Sequence, residues 1–258
     1  MPVTPRLAAW LDSYPQELKA ALRTAARTGF ACIAANTNRK DFDPRDFGES
    51  ARRHLRRYLR DLGLTLDQVV AAFPGAGLAD PSRADERVAQ LRQTLQLAAD
   101  LGVPTAGVTL AGLGDERRRD LAAEMLALAA ELAEGFEKPL AVFSTDPPED
   151  VAPRLRRLGS PRLKLGLDTA ALAGAGLHLP PGLVAAVHLR DVRRMGQTME
   201  EVPFGQGDVD FAALLGGLAE SEYAGTLTIR RDVAGRPVDA LRQGREYVEA
   251  LLGRAGGR

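Results

Sequence analysis

Apolar residues along the chain fall into two kinds of stretch that alternate. Short, nearly continuous apolar runs bounded by turn residues predict buried strands at Arg6–Trp10, Phe30–Ala35, Leu66–Phe73, Val103–Leu110, Pro139–Phe143, Leu163–Leu167, Val184–Leu189 and Thr226–Ile229. Between them, apolar residues recur at helical spacing and predict helices at Pro15–Thr28, Asp46–Leu62, Pro81–Leu101, Asp115–Phe136, Pro148–Leu158, Phe211–Ala219 and Val238–Leu252, with a short one over Thr169–Gly174. Over Pro81–Leu101 one face collects Val88, Leu91, Leu95 and Ala98. Gly29, Gly63 and Gly102 follow three of these helices, where a left-handed capping residue ends the hydrogen-bond ladder.

Strands alternating with helices predict a parallel sheet, because each crossover must return the chain to the same sheet edge. Eight such pairs in 258 residues fit the size of one barrel. The expected fold class is therefore α/β, a single (β/α)8 TIM barrel spanning 1–258 as one domain, with 253–258 as a frayed tail. An open doubly wound sheet is the alternative, but no G-x-G-x-x-G follows the first strand. Gly75-Ala76-Gly77, after the third, reads as a tight turn.

Composition narrows the picture further. Hydrophobic residues make up 45%, and Lys+Arg balance Asp+Glu at 34 each, which gives no composition-level case for a nucleic-acid partner. No apolar run approaches a membrane span, Met1–Trp10 lacks the apolar segment of a signal peptide, and the lone Cys32 fits a reducing compartment. A soluble, cytoplasmic protein without membrane partners is expected, and a homo-oligomer is compatible with the sequence. The three histidines, His54, His178 and His188, limit any metal-centred chemistry.

Alternation along each strand assigns faces. Leu163, Leu165 and Leu167 are expected to pack outward on the helices, with Lys164, Gly166 and Asp168 inward; Ala186, His188 and Arg190 follow on the next strand, then Thr226, Thr228 and Arg230. On the fifth strand Ala141, Phe143 and Thr145 face in. The top inward layer is then Phe143, Asp168, His188 and Arg230, at the barrel end where reactive groups sit.

Several segments carry a family resemblance over roughly Leu64–Leu252. They are Phe73-Pro74-Gly75, Ala98–Val103, Leu167-Asp168-Thr169, Val187–Asp191, Glu201–Phe211 and Tyr223-Ala224-Gly225. In order and spacing the chain resembles the sugar phosphate isomerase/epimerase family, the xylose isomerase-like barrels. The resemblance implies a divalent metal held by Glu, Asp, His and Glu on strands five to eight, the glutamates doubling as acid and base. Carried onto this chain, Asp168 and His188 match, whereas Phe143 and Arg230 stand at the glutamate positions. The expectation is therefore a degenerate metal site and no cofactor. A divalent metal of the Mn or Mg type remains open if a displaced carboxylate, Asp146 or Asp232, completes the site.

Each of these residues has a plainer reading beside the functional one. Asp168 and Arg230 either close the barrel top as an ion pair or serve as base and anion-binding group. His188 is either a satisfied core histidine or, with Asp168, catalytic. Arg190 and Glu201 either sit in a solvated, charge-rich loop or, with Arg230 and Phe143, contact a carbohydrate-like ligand. Asp146 and Asp232 read as loop or capping residues. Lys164 reads as a deep core ion partner rather than a Schiff-base lysine, and Cys32 as core.

Overall fold

The computed structural model describes residues 5–172, 181–196, 198–232, 235 and 237–255. Eight strands close into a parallel barrel: β1 (Arg6–Trp10), β2 (Cys32–Asn36), β3 (Thr65–Ala71), β4 (Thr105–Thr109), β5 (Leu140–Phe143), β6 (Leu163–Asp168), β7 (Val184–Leu189) and, closing against β1, the strand Thr226–Ile229. Two more, β8 (Asp191–Met195) and β9 (Thr198–Val202), form an antiparallel hairpin between β7 and that closing strand, which is therefore β10. The helices are α1 (Leu18–Arg27), α2 (Glu49–Asp61), α3 (Ala84–Leu101), α4 (Arg119–Gly135), α5 (Pro148–Leu158), α6 (Phe211–Glu220) and α7 (Pro237–Ala255).

The expected elements are present, most with ends trimmed by a few residues. The short helix expected over Thr169–Gly174 is a 3-10 turn, Thr169–Leu172; residues 173–180, His178 among them, lie outside the described residues. The tail expected from Gly253 is still helix as far as Ala255, and residues 256–258 lie outside the described residues. Among the described residues no helix is long and apolar enough to cross a membrane.

Face assignment by alternation holds for β5, β6 and β10 and, on β7, from Ala186 onward, past a register shift that leaves Ala185 as an extra residue. Leu140, Val142, Leu163, Leu165, Leu167, Val187, Leu189, Leu227 and Ile229 pack in the layer between strands and helices. Ala141, Phe143 and Ala186 join Trp10, Ala34 and Val70 in a separate cluster inside the barrel. Lys164 is a correction. It sits at the N-terminal rim, partly exposed, and its Nζ donates to the Gly182 carbonyl at 2.6 Å instead of pairing with a buried ion.

Alternation breaks where β3 pairs with β2, at a register shift between Ile33 and Ala34 that leaves Asp67 as the extra residue of a bulge. Asp67 closes the N-terminal end of the barrel at 4% exposure. It pairs with Arg6 (2.7 Å) and accepts from Thr65 and, across the interior, from Thr226 (2.7 Å each). Cys32 is buried beside it, as expected of a core residue, its Sγ 3.4 Å from Thr65 Oγ1.

The hairpin was expected as a loop, because its residues are charged and carry no apolar face. Its register nevertheless sets Arg193 opposite Glu200, a favourable cross-strand pair. Its root is fixed by Asp191, 1% exposed, whose Oδ2 accepts from the N–H groups of Gly205 (2.8 Å), Gln206 (3.1 Å) and Gly207 (2.9 Å). Any Cβ at Gly207 would come within 2.1 Å of Asp191 Oδ1, so glycine is required there. The Phe204–Gly207 segment, central to the resemblance, thus anchors architecture.

Candidate functional site

At the C-terminal end of the barrel the strands surround a cavity of about 400 Å³. Phe143, Asp168, His188 and Arg230 all line it, as strand alternation predicts, and Arg190 and Trp10 join them. Trp10 ends β1 and was not anticipated as a site residue.

Phe143 fills the barrel beneath this mouth. Its ring lies where side chains on the flanking strands are missing: a Cβ on Gly166 would meet it at 2.9 Å, and one on Gly107 at 3.0 Å. The ring packs on His188 with centroids 4.3 Å apart, and Trp10 covers the imidazole at 5.0 Å. His188 is 1% exposed, and its Nε2 lies 2.8 Å from Gln68 Oε1. Burial first, then the Arg230 and Arg190 cations, hold the imidazole pKa well below its ordinary value, so the ring is neutral. Its Nδ1 has no partner among the described residues. Gln68 was not anticipated, although alternation read back from Val69 and Ala71, which pack outward, turns it inward with Val70; the bulge at Asp67 upsets only the residues before it. Two adjacent polar residues, Asp67 and Gln68, inside an apolar run were the available signal.

Asp168 is gripped less by the expected partner than by Arg190. Arg190 Nε donates to Oδ1 at 3.0 Å and its Nη2 to Oδ2 at 2.8 Å, a bidentate fork, while Arg230 Nη1 stands 3.5 Å from Oδ2. Thr169 holds the Arg190 backbone through its hydroxyl, which accepts from the amide at 2.7 Å and donates to the carbonyl at 2.5 Å. Burial opposes the Arg190 charge, but Asp168, Asp232 and Glu201 outweigh it and raise its pKa. Arg230 lies over the Trp10 ring, its Cζ 5.3 Å from the centroid.

Asp232 bridges the two arginines, 3.1 Å from Arg190 Nη1 and 2.6 Å from Arg230 Nη2. Glu201 stands behind them rather than in the cavity lining. Its carboxylate is 6% exposed, lies 3.3 Å from Arg231 and 3.8 Å from Arg190, and accepts the Asp232 N–H at 3.1 Å, so its nearest partners are protein groups. Asp146 serves a loop: Oδ2 accepts from Gly112 and Leu113 N–H at 2.8 Å each. Among the described residues no three His, Cys, Asp or Glu side chains converge as a metal site.

Residues 22–251 match the model of the xylose isomerase-like TIM barrels. The chain belongs to this family of sugar phosphate isomerases and epimerases. It is 31% identical over 189 residues to the putative L-ribulose-5-phosphate 3-epimerase SgbU of Escherichia coli, across 64% of this chain and 65% of that one. It is 27% identical over 186 residues to the putative L-ribulose-5-phosphate 3-epimerase UlaE of Shigella dysenteriae, across 64% of each. The chain therefore spans a little under two thirds of the length of these relatives. Among solved structures, a xylose isomerase domain protein from Planctomyces limnophilus superposes with TM-score 0.80 at 17% identity, over 100% of this chain and 99% of that one. An L-ribulose 3-epimerase gives 0.73 at 20% identity over 97% and 95%. These likenesses show the fold.

Proposed function

We propose that this barrel takes a small sugar or sugar-derived acid at its C-terminal mouth, and does so without the divalent metal of its family. The observation that carries the reading is the pair of guanidiniums, Arg190 and Arg230, set beside Asp168 on the cavity wall. Divalent ions want three or more oxygen or nitrogen donors. Strand β5 offers a phenyl ring, β10 is followed by a fixed cation, and both oxygens of Asp168 lie in the Arg190 fork. That donor set does not fit a metal ion. It does fit a carboxylate, a phosphate or an enediolate. The relatives named for L-ribulose 5-phosphate support a ligand of the sugar type. The same reading takes the chain as one barrel domain and, from its lone buried cysteine, as cytoplasmic.

In turnover Arg230 would stabilise enediolate charge and His188 would move the proton, its Nδ1 having no other partner among the described residues. Asp168 is the poorer choice, because Arg190 occupies both of its oxygens. The same occupancy, with an imidazole whose basicity burial lowers, favours a rival reading of binding without turnover. The test is epimerisation of L-ribulose 5-phosphate, followed by NMR with and without EDTA. Conversion that survives EDTA is expected, and conversion that strictly needs added manganese or cobalt overturns the metal-free reading. Binding without conversion selects the rival. If Phe143→Glu with Arg230→Glu then gains metal-dependent epimerase activity, the wild type is a decayed enzyme.

A further inference from the structure

Nearer the mouth than Asp67, a second hydrogen bond crosses the barrel interior. It joins His188 on β7 to Gln68 on β3, residues 120 apart in the chain, with Nε2 and Oε1 at 2.8 Å. Both partners are held independently of it. Gln68 is fixed in the ladder on either side, opposite Ala34 on β2 and Thr105 on β4. The imidazole lies against Phe143 (centroids 4.3 Å apart, planes at 37°) and Trp10 (5.0 Å, 51°), so it cannot turn over without displacing an aromatic neighbour. His188 is 1% and Gln68 4% exposed, and burial keeps water from competing for the bond.

A neutral imidazole carries one N–H, and the partner of one nitrogen decides which of the two holds it. An amide oxygen 2.8 Å from Nε2 requires a donor there, because two facing lone pairs repel. Nε2 therefore carries the proton and Nδ1 the lone pair. The surrounding charges agree. Arg230 and Arg190 act on the ring more strongly than Asp232 does, and net positive charge favours a lone pair over an N–H at the remaining nitrogen. With the amide turned over, the tautomer would reverse and the free nitrogen would be a donor in cationic surroundings.

We propose that Gln68 is a positioning residue of this mouth: by accepting from Nε2–H it holds His188 in the tautomer whose free nitrogen, Nδ1, accepts and cannot donate. The ligand atom that meets the ring is then a proton-bearing one, a hydroxyl or the carbon beside a carbonyl, and not a carbonyl or phosphate oxygen. The proposal rests on the reading of His188 as the group that moves the proton. A proton leaving the ligand goes to Nδ1, its electron pair stays on the ligand, and Nε2–H keeps Gln68 as its acceptor in both charge states.

Long-range 1H–15N correlation spectra of the 15N-labelled full chain test this at about pH 8, well above the ordinary histidine pKa of about 6.5. Of the three histidines, His188 is the one whose signals vanish in His188→Gln. Its Nε2 is expected to be of the protonated, pyrrole type and its Nδ1 of the bare, pyridine type, with the Nε2–H form in at least about tenfold excess. The reverse pattern overturns the proposal. Gln68→Leu is expected to remove most of that excess, whereas Gln68→Glu, which keeps an oxygen in place, is expected to preserve it. An unchanged tautomer in Gln68→Leu overturns the role of Gln68. L-Ribulose 5-phosphate added to the wild type is expected to move the Nδ1 signal and leave Nε2 in place. If neither signal moves while the tautomer is as expected, the reading of His188 as the proton-moving group falls and the assignment of Gln68 stands.

Discussion

Both ends of the barrel carry a carboxyl group paired with arginine, and they are built for opposite purposes. At the N-terminal end Asp67 is 4% exposed and finds two threonine hydroxyls and Arg6 at 2.7 Å each, with the chain packed around it. At the C-terminal end Asp168, Asp232 and Glu201 share arginines beside a cavity of about 400 Å³. A carboxyl group with dedicated partners and no room beside it closes a barrel. Carboxylates that share partners beside an open mouth leave their arginines within reach of the cavity. The same residue pair thus closes one end of the barrel and borders an open cavity at the other.

The largest effect is expected at the closed end. Asp67→Ala removes a 4%-exposed acceptor shared by the Thr65 and Thr226 hydroxyls and Arg6, and should cost about 3 kcal/mol in urea unfolding, with ligand affinity at the mouth unchanged. Arg6 is 59% exposed, so Arg6→Ala should cost less than about 1 kcal/mol. An equal loss from both would mean that the ion pair, not the hydroxyl pair, closes the end.

Next comes the floor of the mouth. Gly166→Ala drives a methyl into the Phe143 ring and should cost about 1–3 kcal/mol. In a Phe143→Ala background the same change should cost almost nothing, a coupling that a double-mutant cycle reads directly. Additive losses would show that Phe143 does not depend on the glycine.

The mouth should also respond to pH. Because the folded pKa of His188 is depressed, its neutral form contributes stability above the unfolded value of about 6.5. That stability is lost as pH falls, by up to about 1.4 kcal/mol per pH unit. Urea midpoints between pH 7 and 5.5 should show this slope in the wild type and a shallower one in His188→Gln. The smallest effect is expected for Asp232→Asn, within about 1 kcal/mol in stability, because its carboxylate is 36% exposed.

The barrel was legible because apolar runs and helical periodicities alternate along the whole chain, and because β5, β6, β10 and, from Ala186 onward, β7 keep two-residue alternation as far as the mouth. Phe143, Asp168, His188 and Arg230 could be placed on that basis alone. Gln68 was placeable in the same way, inward with Val70, when its run is read back from Val69 and Ala71; only the residues before the Asp67 bulge fall out of step. Lys164 was put too deep because alternation gives a face and not a height along the barrel axis. The β8–β9 hairpin left no periodic apolar signal, so the burial of Glu201 behind Arg190 could not be foreseen. Nor does spacing reveal that Arg190 rather than Arg230 would take both oxygens of Asp168.

The central claim is that guanidinium charge has replaced metal at this mouth. Titrating the protein with Mn2+ and following the free ion by EPR tests it most directly. The account predicts that all added Mn2+ stays free at micromolar concentrations, in the wild type and in Asp168→Asn alike. One Mn2+ bound tightly per chain, and released by Asp168→Asn, would contradict it.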